Sequence, residues 1–155
     1  MVLREPWQKA WKQKVVSPRK AIEQIKSGDN VFIGTGAAAP QTLIEALVER
    51  ANHLSDVDIY HLLTLGEAPY VEAKFKNNFR LNTFFIASNV RKAVQEGNAD
   101  YTPIFLSDIP AEFASGRIGL DVALVQTSPP DENGFMTYGV SVDIVKSAVE
   151  NARLV

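Results

Sequence analysis

The stretch Gly34-Thr35-Gly36-Ala37-Ala38-Ala39 combines two glycines with three alanines, and Thr35 carries its only side chain larger than a methyl group. Such a loop lets a ligand approach main-chain N–H groups closely, and unpaired N–H groups ahead of a helix favour an anion or a developing oxyanion. The same residues equally describe a tight turn that seats a helix on its strand, and spacing alone leaves both readings open. A second loop where backbone could face a ligand is Thr64-Leu65-Gly66-Glu67, and a third runs from Ser88 to Arg91. Other chemistry is poorly provided for. Without cysteine there is no disulfide, thiolate ligand or cysteine nucleophile, and His53 and His61 alone are too few for a multi-histidine metal site. His61 falls inside a strand-like segment with no visible partner, which predicts a hydrogen-bonded structural histidine. Glu67, Glu112 and Glu132 sit in loops or at a helix start, where a surface charge or a capping role accounts for them.

These loops need a scaffold, and 155 residues with 46% hydrophobic content suffice for one domain with a substantial core. A formal charge of −2, spread over mixed signs, offers no footprint for nucleic acid or for a polybasic membrane anchor. No run reaches the length of a membrane span and the polar start lacks a signal-peptide core, so a cytoplasmic protein is expected.

In chain order, Trp7, Trp11 and Val15 predict a helix over 5–15 whose apolar face docks on the domain or on another body. Ser17 and Pro18 open a second helix, with Ala21, Ile22 and Ile25 as its stripe and Gly28 as its stop. Val31 to Ile33 form a strand, and Leu43, Ile44, Leu47 and Val48 predict a helix from Pro40 to about Ala51, which completes a strand-loop-helix unit around the glycines. Further strands are expected over 57–63, 81–87, 103–106, 121–127 and 135–138. Between them the pattern predicts a short helix at 70–75, a helix capped by Ser88 and ended by Gly97, and another over 109–114. A turn-rich loop covers 128–134, a last helix is capped at Ser141, and Arg153-Leu154-Val155 reads as the opening of another strand. The alternation predicts an α/β protein with an open, mainly parallel sheet and helices on both faces. Such sheets bind ligands at the carboxyl ends of their strands, where all three loops fall.

Several stretches together carry a resemblance: Ser17-Pro18, Gly28-Asp29, Gly34-Thr35-Gly36, Ser88-Asn89-Val90-Arg91-Lys92-Ala93-Val94, Phe105-Leu106-Ser107-Asp108-Ile109-Pro110, and Ser128-Pro129-Pro130-Asp131-Glu132-Asn133-Gly134. In this order the chain resembles the amino-terminal domain of the acetyl-CoA hydrolase/transferase family, of the 4-hydroxybutyrate CoA-transferase type. The resemblance spans the chain from about residue 10. It implies a class I CoA-transferase of two similarly folded α/β domains, moving CoA from an acyl-CoA to a short carboxylate such as acetate or 4-hydroxybutyrate. It also implies coenzyme A thioesters as substrates, with no permanently bound cofactor and no metal.

In that family a glutamate carboxylate attacks the thioester, giving an acyl anhydride and then a glutamyl-CoA thioester, and each tetrahedral step needs an oxyanion hole. The glutamate belongs to the carboxyl-terminal domain. No residue here matches it, so no catalytic residue is expected in this chain, whose partner is that second domain. By the resemblance, the amides around Thr64, Leu65 and Gly66 form the outer oxyanion hole, and Gly34, Thr35, Gly36 and Ala37 form the wall against the thioester. Asn89 and Arg91 orient an acceptor carboxylate. A homo-oligomer is expected. The alternatives are a non-catalytic module of this fold type that binds a sugar phosphate or an acyl-CoA, and a structural interaction domain. Against a phosphate, no lysine or arginine lies beside residues 34–39.

Overall fold

The computed structural model describes residues 7–155. Its centre is a six-stranded parallel sheet made of β1 (Asn30–Ile33), β2 (Val57–His61), β3 (Phe79–Thr83), β4 (Ala99–Tyr101), β5 (Leu120–Leu124) and β6 (Ala152–Leu154), in the order β4-β3-β2-β1-β5-β6. The chain walks outward from β1 to β4, then returns to the other side of β1 to lay down β5 and β6. The strand order therefore reverses between β1 and β5, where the connections leave in opposite directions and open a crevice.

Alternate residues of each strand feed two cores, as the two-residue period requires. Val31 and Ile33 of β1, with Ile59, Leu81 and Val122, face a layer containing α2 (Pro18–Ile22), α3 (Gln41–Glu49) and α4 (Ser88–Gln95). Phe32 and Ala123 face the opposite layer, where α5 (Ile109–Ala114) and α6 (Val145–Asn151) pack. Phe113 of α5 meets Phe32 and Phe84 edge-on, with centroids 5.9 and 6.3 Å apart. Ser17 caps α2 as expected, its hydroxyl accepting from the Lys20 N–H at 3.3 Å. No helix among the described residues is long and apolar enough to cross a membrane.

Several local expectations are corrected. The strand expected over 81–87 starts two residues earlier and stops at Thr83, whose hydroxyl donates to the Phe85 carbonyl at 2.8 Å and turns the chain. The strand expected over 103–106 lies instead at Ala99–Tyr101. Pro103 has no N–H to give a ladder, and beyond it Phe105 and Leu106 are exposed. Residues 135–138 make no strand, residues 69–75 form two 3-10 turns rather than a helix, and Ser88 is the first residue of α4 without a capping bond. The last helix starts at Val145 rather than at Ser141. Helix α1 (Trp7–Lys14) forms, but Trp11 and Val15 are exposed, and the Trp7 side chain lies outside the described residues.

Candidate functional site

The chain leaves β1 at Ile33 and the Gly34 N–H donates to the Leu124 carbonyl at 2.8 Å, so a Cβ on Gly34 would sit only 3.3 Å from that oxygen. Two residues later Gly36, at φ +60°, pairs with Thr64 in a one-residue parallel bridge. The Gly36 N–H donates to the Leu63 carbonyl at 2.9 Å, and the Leu65 N–H donates to the Gly36 carbonyl at 3.2 Å. The loops after β1 and β2 are thus stitched together beyond the strands that carry them. Asn89, at the start of α4, ties in the third loop, its Nδ2 donating to Thr64 Oγ1 and to the Gly66 carbonyl, both at 3.0 Å. On the far side the buried Thr35 hydroxyl donates to the Asp143 carboxylate.

Gly34, Thr35, Gly36, Ala37, Thr64, Leu65, Gly66 and Asn89 therefore share one rim of the sheet. Within it the amides divide. Those of Gly36 and Leu65 are engaged in the bridge, whereas those of Ala37 and Gly66 take no part in it. Both hydrogens of Asn89 Nδ2 are directed at protein oxygens, which gives this side chain the task of holding the loop. Arg91 is not brought to the rim. It lies two residues beyond Asn89, on the opposite face of α4, and is exposed.

Beneath the Thr64 loop lies an uncharged polar cluster. His61 is fully buried, and neither Nδ1 nor Nε2 has a hydrogen-bond partner, which corrects the expectation of a hydrogen-bonded histidine. Burial pushes its pKa down to about 3, so the ring is neutral and cannot serve as a base toward the rim. Tyr70 packs edge-on against it at 6.2 Å between centroids. Burial raises the phenol pKa to about 12, with the nearby Thr64 hydroxyl acting weakly the other way. Tyr70 Oη nevertheless makes no hydrogen bond of normal geometry, and Asn89 Oδ1 is likewise buried and unpaired. Of the three glutamates considered from sequence, Glu112 faces Arg117 at 3.4 Å and Glu67 is exposed on the second loop.

The β1/β5 crevice holds a cavity of about 260 Å³ lined by Ala37, Ala38 and residues 126–128 and 138–140. The loop that walls it is fastened to itself. The Ser128 N–H donates to the Thr137 carbonyl at 2.9 Å and the Thr137 N–H donates to Ser128 Oγ at 3.0 Å. Asp131 Oδ1 accepts from the N–H groups of Asn133 and Phe135, both at 2.9 Å. Ser141 closes the approach to the first loop, its Oγ lying 2.9 Å from where a Gly36 Cβ would stand. Of the lining residues, Ala37 belongs to the wall expected from sequence and Ser128 opens a loop expected at a strand's carboxyl end, whereas Ala38, Gln126, Thr127 and residues 138–140 were not singled out as part of a site. Their signal is the strand order, which places the end of β5 beside the glycine loop. A larger hollow between α2 and α3 lies away from the rim, and its arginines are committed, Arg19 to Glu49 and Arg50 to the carbonyls of Ile22 and Ile25.

A family model described as "Acetyl-CoA hydrolase/transferase N-terminal domain" matches residues 1–155. The chain is 45% identical over 130 residues to a succinyl-CoA:acetate/propanoyl-CoA:succinate CoA transferase of Fasciola hepatica, covering 83% of this chain and 27% of that protein. It is 36% identical over 149 residues to a 4-hydroxybutyrate coenzyme A transferase of Clostridium kluyveri, covering 96% and 35% respectively. The crystal structure of a 4-hydroxybutyrate CoA-transferase from Porphyromonas gingivalis superposes with a TM-score of 0.74 at 29% identity, over 94% of this chain and 33% of that one. The chain thus spans about a third or less of the curated relatives it matches. With the sheet, the stitched loops and these matches in agreement, the chain belongs to the acetyl-CoA hydrolase/transferase family, as its N-terminal domain.

Proposed function

We propose that this domain serves a CoA-transferase that moves CoA between an acyl-CoA and a short-chain carboxylate of the acetate or 4-hydroxybutyrate type. The domain supplies the acceptor side of the cleft, and a glutamate from a carboxyl-terminal domain supplies the nucleophile. In each half-reaction the thioester carbonyl becomes tetrahedral and its oxygen gains charge, which N–H donors held in place can stabilise without rearranging. The observation that carries this reading is the Gly36–Thr64 bridge, which Asn89 reinforces, because it fixes the loop bearing the unengaged Gly66 amide against the loop bearing that of Ala37. The wall against the thioester is then the backbone from Gly34 to Ala37. The same reading carries a cytoplasmic, homo-oligomeric enzyme, for which the exposed Phe105 and Leu106 offer apolar contact surface.

The test is an exchange assay on a two-domain protein, this domain joined to a carboxyl-terminal domain that bears the glutamate, with butyryl-CoA, succinyl-CoA or 4-hydroxybutyryl-CoA and isotopically labelled acetate. Labelled acetyl-CoA is the expected product. Binding of a sugar phosphate together with no exchange from any thioester would overturn the reading in favour of a non-catalytic module.

A further inference from the structure

The cavity at the β1/β5 reversal has a chemistry that narrows the substrate. We propose that it receives the uncharged acyl chain of the thioester, with Ala37, Ala38 and Val140 setting the length of chain admitted; this rests on the CoA-transfer reading above.

The location follows from topology, since ligands of open parallel sheets sit where the strand order reverses, and here that point adjoins the Gly34–Ala37 wall. The size follows from the side chains. Two alanine methyls and Gly139 leave about 260 Å³, roughly nine water-sized groups at about 30 Å³ each, which suits a chain of a few carbons and excludes the nucleotide of CoA. Polarity then selects the class. No charged side chain lines the cavity, and Gln126, Thr127, Ser128 and Tyr138 are its neutral polar lining. A terminal carboxylate would lose its hydration there without gaining a cation, whereas a methyl or hydroxyl end would not. Finally the walls are held: the Ser128–Thr137 bonds fix one side, and the Thr35–Asp143 bond ties the segment following residue 140 to the glycine loop. Size selection of this kind requires a cavity that does not widen to admit a longer chain.

Val140 is exposed, so enlarging or trimming it tests the cavity without disturbing the core. The two-domain protein, this domain joined to the carboxyl-terminal domain that bears the glutamate, and its Val140→Phe and Val140→Ala variants are compared by kcat/KM for acetyl-CoA, propionyl-CoA and butyryl-CoA with labelled acetate. Val140→Phe should lower the butyryl-to-acetyl ratio about tenfold or more, the scale on which an apolar pocket discriminates methylene groups, and Val140→Ala should raise it. A ratio unchanged in both variants overturns the proposal while leaving CoA transfer intact. If the unsubstituted protein transfers CoA from no thioester, the functional reading fails, and binding decides the cavity separately. Butyryl-CoA binding more tightly than CoA, with the difference lost in Val140→Phe, upholds it as an acyl site, and equal binding overturns it.

Discussion

Replacing His61 with leucine should remove an acid-sensitive contribution to stability whose size follows from the burial of the ring. In the unfolded chain the imidazole has its ordinary pKa of 6.5, and in the folded protein burial holds it at about 3. The unfolded state therefore binds the proton first as pH falls. The stability due to a neutral His61 is complete above about pH 6.5 and declines below it, until the folded protein also takes up the proton near pH 3. Each pH unit in that window is worth ~1.4 kcal/mol, so at pH 5 the loss amounts to about 2 kcal/mol. A leucine there has nothing to protonate. Urea unfolding of the full chain and of His61→Leu, measured at pH 7.5 and pH 5.0, isolates this contribution as a difference of differences. The leucine variant should lose about 2 kcal/mol less than the original between the two pH values, whatever its absolute stability. Stopping at pH 5 keeps the comparison above the range where most carboxylates take up protons. Parallel pH dependences would refute the reasoning, and would mean that His61 finds a partner or solvent that this arrangement does not give it.

Two further outcomes are expected. Gly36→Val places a β-branched residue at φ +60° with its Cβ 2.9 Å from Ser141 Oγ, which should cost about 1–3 kcal/mol of stability and cut CoA-transfer turnover at least tenfold; normal turnover would mean that the first loop does not wall the site. Tyr70→Phe removes a buried hydroxyl that makes no hydrogen bond, so it should leave stability unchanged or raise it by about 1 kcal/mol, and a loss of that size in urea unfolding would show that Oη is bonded after all.

Where the information is local, the residues announce the structure. Ser17 and Pro18 start a helix because a hydroxyl and a fixed φ satisfy its first turn, and β1, its glycine loop and α3 follow from period and punctuation. The end of β3 and the position of β4 were not legible. They depend on where a neighbouring strand offers hydrogen bonds, and the apolar character of Ile104, Phe105 and Leu106 is not in itself a ladder partner. The site divides in the same way. The glycines mark the rim, but the bonds that assemble it join Thr35 to Asp143 across 108 positions and Asn89 to Thr64 across 25. Asn89 illustrates the limit well. An amide at a helix start beside a loop is equally suited to a ligand and to the loop itself, and only the positions of Thr64 Oγ1 and the Gly66 carbonyl decide between them.

The bridge between Gly36 and Thr64 also bears on how a substrate could be enclosed. Two loops that share a pair of main-chain hydrogen bonds cannot fold over a ligand one at a time, and Asn89 denies the second loop the freedom to swing alone. The entropy of ordering these donors is lost when the chain folds rather than when a ligand arrives, so under the proposed function the rim would meet a substrate pre-organised. It acts as an anvil, and whatever movement shuts water out must come from a body that descends upon it.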